Sequence, residues 1–312
     1  MEYENKIFYH YTSISALYKI VTNKTLLLSG VQCLNDMEEA TYSVEDFEND
    51  FKTLYESKQY DFINYLYEKA FLPKKDDFEK LAEPEIEPFV FSLSKRRDSL
   101  AHWDRYADTR KGVCIGIDIT KLNDIPFIEM GFVGIQSIIY NEKQKLEYLL
   151  KTIKDKVLRE LPIPILPENY KDLFYKEKGY TLISDCYRQM KYFVKKDLWE
   201  DEGEMRIAYE DTITKDIFSQ IPHLQEVHKN SAFPGMNAIF KQSGLDALKF
   251  ELINNKIHPC RFLDISSIWD KGLITEVMLG PKCEQSKKDL ELFLNSNGLE
   301  NVRITESRIK IR

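Results

Sequence analysis

The 312-residue chain has no CxxC pair, and its five cysteines (Cys33, Cys114, Cys186, Cys260 and Cys283) are odd in number and scattered. That argues against a disulfide framework and a zinc site, and predicts reduced, mostly buried thiols. Neither GxGxxG nor GxxxxGK[ST] occurs, so nothing points to a classical dinucleotide fold or a P-loop. No apolar run is long enough to span a bilayer, and the opening MEYENKIFYHYTS lacks the basic-then-apolar order of a signal peptide. The expectation is a cytoplasmic protein with no membrane partner. Glycine (12) and proline (11) are sparse, and there is no repeat or low-complexity tract. Positive charge is also in deficit: a formal charge of −7 speaks against a general polyanion binder. The short basic runs at 95–97 and 195–196 read as solvated surface.

What is present is a globule-forming composition. Hydrophobic residues make up 43% of the chain, with eighteen Tyr and eighteen Phe, enough to bury a substantial core. Lys6 to Tyr11 reads as a strand, followed by a short helix capped by Ser13 or Ser15 and a second strand from Thr25 to Ser29. Helical periodicity runs through 39–72 and ends before Pro84 to Pro88. Phe89 to Ser94 is a strand, Asp98 a cap for a helix holding Leu100, Trp103 and Tyr106, and Gly112 to Asp118 another strand. Weak strand alternation at 131–140 precedes helices at 142–161 and about 170–197, and strand character returns at Glu204 to Tyr209. The strand Ile274 to Leu279, a helix near 286–297 and a strand from Val302 to Ile311 close the chain as a β-α-β unit at about 273–312. Strands spread irregularly among helices predict one elaborated α+β domain over 1–312, with helical insertions at about 39–82 and 142–197.

Two constellations stand out for chemistry. In Tyr9-His10-Tyr11-Thr12-Ser13, strand alternation puts His10 and Thr12 on one face and Tyr9 and Tyr11 on the other. A polar pair on one face suits a ribose or phosphate; a hydrogen-bonded core or turn histidine is the structural reading. The second is Trp199 to Arg206, the densest acidic cluster. If extended, Glu200, Glu202, Glu204 and Arg206 share a face, and neighbouring carboxylates raise one another's pKa while Arg206 partly offsets this. The structural reading there is an exposed acidic edge strand. Ser92 and Ser94 share a strand face, and Trp103 and Tyr106 share a helical face, a spacing usual for core residues. Asp36, Glu38, Glu202 and Glu204 fit an Mg²⁺ site in principle. The sequence Glu-Gly-Glu-Met-Arg does not match the Glu-x-Lys of the commonest nuclease pattern, so a metal-dependent nuclease ranks third.

HYTS, LNDMEE, FSLS, WDRY with the following KGVCIG, and WEDEGEMR resemble, in this order, the bacterial domain of unknown function 2971 family over about residues 7–210. EVMLGP at Glu276 to Pro281 is similar to that family's closing strand. The family looks related to the ADP-ribosyltransferase fold, which implies a mixed, split β-sheet core of ADP-ribosyltransferase-like type with NAD as substrate and no metal. By that resemblance His10, with Tyr11 and Thr12, would hold the adenosine ribose. Ser92 or Ser94 would correspond to the middle motif, Trp103 and Tyr106 would be cofactor-binding with Tyr106 as the nicotinamide-stacking partner, and Glu202 or Glu204, with Arg206 beside them, would be catalytic. No Tyr follows the middle strand at the usual position, so Tyr106 is an approximate match. The resemblance also implies an effector or toxin linked to phage defence or abortive infection, with an unidentified macromolecular acceptor and a phage trigger or antitoxin as partners. A non-catalytic nucleotide-binding or phage-sensing module is the alternative.

Overall fold

The computed structural model describes residues 6–31, 42–78, 89–125, 133–160, 168–209, 249–253 and 255–310. In its first third the elements are β1 (Ile7–Thr12), α1 (Ile14–Asn23), β2 (Thr25–Gly30), α2 (Val44–Glu56), α3 (Asp61–Leu66) and β3 (Phe89–Ser94). Then come α4 (Leu100–Tyr106), β4 (Val113–Asp118), β5 (Val133–Ser137), α5 (Glu142–Glu160), α6 (Glu168–Phe193) and β6 (Glu204–Tyr209). The last are β7 (Lys249–Ile253), β8 (Lys256–Asp264), β9 (Ile274–Leu279), α7 (Lys287–Ser296) and β10 (Arg303–Glu306). No helix among the described residues is long and apolar enough to cross a membrane. The chain divides into two compact units, one of residues 1–35, 87–137 and 201–312, the other of 36–86 and 138–200. Both stretches expected as separate helical insertions, 39–82 and 142–197, thus fall in the second unit.

The first unit is a mixed, open sheet in the order β10-β9-β4-β1-β3-β2-β8-β7, with β6 on β3 and β5 on β6. β9 and β10 run parallel, joined through α7, so the expected β-α-β unit is present. Its last strand is shorter than expected, Arg303–Glu306, because the chain turns off at Ser307 to bond Asp98. The hairpin of β7 and β8 has no counterpart in the sequence reading: its exposed Phe250, Leu252 and Ile257 do not give the usual half-buried alternation.

β3 is the seam of this sheet. One of its edges pairs with all of β6, from Phe89↔Tyr209 to Ser94↔Glu204. Its other edge pairs with β1 at Ser94 and with β2 at Phe89 and Val90, so the two neighbours part between those points. α1 links β1 to β2. Ser13 accepts from the Ala16 N–H at 3.1 Å, and Leu17, Ile20 and Val21 form the buried stripe of that helix. The second unit packs around an aromatic core with Phe47, Phe51, Phe71, Phe78 and Tyr187. α2 opens with a capping box between Ser43 and Asp46. In α6, Gly179 lets α6 approach closely, since a Cβ there would sit 2.9 Å from the Ala70 Cβ.

Candidate functional site

Cross-strand partners point to the same face of a sheet. Tyr9↔Ser94, Ser94↔Glu204, Ser92↔Arg206 and Tyr11↔Cys114 therefore place Tyr9, Tyr11, Ser92, Ser94, Glu204, Arg206 and Cys114 on one face. His10 and Thr12 alternate to the other, where the His10 ring stacks on Phe91 with centroids 4.2 Å apart. α4 covers the first face: Trp103 and Ala107 pack with Tyr11, Cys114 and Met278, and Tyr106 lies against that cluster.

The acidic segment does not extend as one strand. Asp197–Glu202 is a 3₁₀ turn, Gly203 turns the chain at φ +52°, and the strand begins only at Glu204. Alternation consequently applies to Glu204 and Arg206 but not to Glu200 or Glu202. Nor is this an exposed acidic edge: β6 lies between β3 and β5, and all six of its residues are buried. Glu204 and Arg206 form a sealed ion pair, Nε to Oε1 2.7 Å, with the arginine side chain 1% exposed.

Glu202 has a different environment. Its carboxylate accepts the Tyr106 hydroxyl at 2.6 Å and an N–H of Arg105 at 3.4 Å. Its own side chain is 7% exposed, while that of Arg105 is 53% exposed. Ser94, buried on β3, donates its hydroxyl to the Glu202 carbonyl at 2.5 Å, and the Lys95 N–H donates to Gly203 at 2.9 Å. β3 thus holds the acidic turn in place. His102, one helical turn before Tyr106, contacts Ser99 Oγ through Nδ1 at 2.9 Å and lies beside Glu202. Burial lowers the pKa of His102, against the pull of the Glu202 carboxylate and carbonyl, so the ring is neutral at pH 7.

His10 is held to the same strand. Its Nδ1 lies 3.0 Å from the Ser92 carbonyl. A carbonyl only accepts, so Nδ1 carries the proton and Nε2 keeps its lone pair. Burial pushes the His10 pKa down to about 4, outweighing the Ser92 hydrogen bond, so the neutral tautomer persists at pH 7.

Several expected site residues have structural duties. Trp103, expected among the cofactor-binding residues, is fully buried, and its indole N–H donates to Asp98 at 2.7 Å; it is a core residue. Tyr11 is buried with its hydroxyl donating to the Arg96 carbonyl and accepting the Ser99 N–H. Thr12 is buried at the end of β1. Ser99, not Asp98, occupies the cap position of α4, and Asp98 instead gathers Trp103, Ser307 and the Arg308 N–H. Arg97 is not simply solvated: it grips the buried Glu276. Lys195 is buried as well. Cys114, Cys186 and Cys260 are buried free thiols and Cys283 is half-buried; Cys33, Asp36 and Glu38 lie outside the described residues. Among the described residues no three His, Cys, Asp or Glu side chains are grouped as a metal site requires.

Sequence reasoning did not single out His102 or Arg105 as site residues. A local signal was available, since His102, Arg105 and Tyr106 recur at helical spacing in LAHWDRY. For Arg97 and Glu276, 179 residues apart, there was none.

Comparison with curated proteins and with solved structures gave no match. Residues 102–207, which run from His102 through Arg105, Tyr106, Glu202 and Glu204 to the residue after Arg206, match the family model described as Protein of unknown function (DUF2971), and this supports the chain's resemblance to that family.

Proposed function

We propose that the sheet unit is an NAD-consuming catalyst, an ADP-ribosyltransferase-like effector or an NAD glycohydrolase, with Glu202 as its acting carboxylate. The observation that carries this reading is the fixed geometry of Glu202, set by the Tyr106 hydroxyl at 2.6 Å and by Arg105. Glu204 is the weaker candidate because Arg206 already neutralises it inside the sheet. The split along β3 supports the same reading. His10 and Glu202 are tied to that strand two residues apart, at Ser92 and Ser94.

In this reading the bond between nicotinamide and ribose breaks, nicotinamide leaves with the electron pair, and positive charge develops on the ribose. A carboxylate held in place stabilises that charge and accepts a ribose hydroxyl, as in glycoside cleavage. Water or an acceptor hydroxyl then bonds to the ribose carbon that nicotinamide left, and its proton passes to the Glu202 carboxylate or to bulk water. His10 Nε2 accepts from a hydroxyl of the other, adenosine ribose on the other side of the seam; it binds and orients, and takes no proton. Phage defence is the proposed setting, with the acceptor and trigger unassigned.

The near-complete burial of Glu202 favours a second reading, a nucleotide-binding module without turnover. Purified protein incubated with NAD and followed by mass spectrometry separates the two. Nicotinamide release that is lost in Glu202→Gln supports the enzyme. A raised melting temperature with NAD intact supports the module, because a ligand selective for the folded state stabilises it. Neither release nor a shift, in a folded protein, overturns both.

A further inference from the structure

The loop of residues 95–99 runs from β3 to α4 and is held at every position. On one side it meets the acidic turn: Lys95 N–H donates to the Gly203 carbonyl at 2.9 Å and Arg96 Nε to the Asp201 carbonyl at 3.2 Å. In the middle, the Tyr11 hydroxyl donates to the Arg96 carbonyl at 2.7 Å and accepts the Ser99 N–H at 3.0 Å. On the other side it meets β9 and the segment from β10 onward. Arg97 forks onto Glu276 at 2.9 and 2.5 Å, and Glu276 also accepts Thr305 Oγ1 at 2.6 Å and Arg303 at 3.2 Å. Asp98 accepts the Ser307 hydroxyl at 2.7 Å, the Arg308 N–H at 2.9 Å and the Trp103 indole at 2.7 Å.

Two anions therefore converge on one loop, and both are satisfied from several directions. Burial alone would raise their pKa values; the donors around them, Arg97 and Thr305 for Glu276 and Trp103, Ser307 and Arg308 for Asp98, outweigh it and hold both carboxyls below the usual range. The loop leads straight into α4, whose Arg105 and Tyr106 hold Glu202. A helix of seven residues is too short to hold its own position, so what anchors its first turn sets where its last turn lies.

We infer that Asp98 and Glu276 are positioning residues: by clamping residues 97–99 to β9 and to the segment 303–308, they set the contact between Tyr106 and Glu202 from the far side of α4. This rests on the Glu202 reading for its functional meaning, but the positioning itself can be measured without NAD. In Asp98→Asn, amide exchange of residues 100–106 speeds up about tenfold or more while β4 and β9 keep their protection, as expected for local rather than global opening. Thr305→Val, which removes one donor to Glu276 and leaves the ion pair with Arg97, gives a smaller effect of the same pattern and tests Glu276 without removing its charge. If the wild type releases nicotinamide, Asp98→Asn lowers kcat about tenfold with KM held, the signature of a misplaced catalytic group. Unchanged exchange of 100–106 in folded Asp98→Asn overturns the inference, and so does faster exchange spread evenly over the sheet. Absence of nicotinamide release from the wild type overturns the NAD reading alone, and the exchange pattern still decides the positioning.

Discussion

Glu202 and Glu204 are two residues apart and belong to two different kinds of site. Glu204 sits on a central strand, paired in register with Ser94 and locked to Arg206 where the arginine is almost inaccessible. Glu202 sits on a 3₁₀ turn beyond Gly203, and a helix from elsewhere in the chain reaches over to hold it. The first acid belongs to the sheet's internal charge balance. The second is held by a hydroxyl and by a guanidinium that remains half in solvent. Chemical composition does not distinguish them; backbone conformation does.

The largest effect separates them by stability. Arg206→Met takes the guanidinium away from the buried Glu204 carboxylate and is expected to cost about 3–5 kcal/mol, read as a fall in the urea midpoint. Replacing both, as Glu204→Leu with Arg206→Met, should recover most of that, because a buried ion pair exchanges for apolar groups at little net cost. If the double variant is as unstable as the single one, Glu204 and Arg206 do more than balance each other.

The next effect separates them by activity. Glu202→Gln should lower nicotinamide release by roughly 10²–10³-fold while the urea midpoint moves much less than in Arg206→Met. Release that survives Glu202→Gln would reverse the assignment of the two acids. A smaller loss is expected from Tyr106→Phe. Removing one hydrogen bond to a charged group is worth about 1.5–3 kcal/mol, and a roughly tenfold or greater fall in kcat should follow if the hydroxyl sets the carboxylate. The smallest change is Gly203→Ala. At φ +52° a side chain costs about 1–2 kcal/mol, and the added Cβ would meet Lys95 Cβ at an ordinary 3.4 Å. The loss should therefore come from the backbone alone, and Gly203→Asn should recover part of it.

Much of the architecture was legible because the central strands carry their own signal. Phe89–Ser94, Glu204–Tyr209 and Ile274–Leu279 coincide with the strands read from sequence, since β-branched, aromatic and other apolar residues dominate these short runs. The hairpin β7–β8 was missed because it exposes apolar residues that the periodic pattern expects inside. The acidic cluster was found, yet its division was not, because a left-handed glycine in its middle has no effect on composition. His10 and Glu202 were both picked out, but not that strand register turns His10 away from the face bearing Glu204. The clamp on residues 97–99 depends on partners that only the fold brings together.

The seam strand also dictates when the molecule can be completed. β3 is bracketed by strands distant in the chain: β1 precedes it by some eighty residues, and β6 follows by more than a hundred. The hydrogen bond from Tyr106 to Glu202 alone closes a span of 96 residues. Closing such loops must come before any of their contacts contribute, which slows folding relative to helices built from neighbours in the chain. A ribosome-bound chain cannot form this carboxylate site until the segment carrying β6 has emerged, and its clamp waits for β9 and β10.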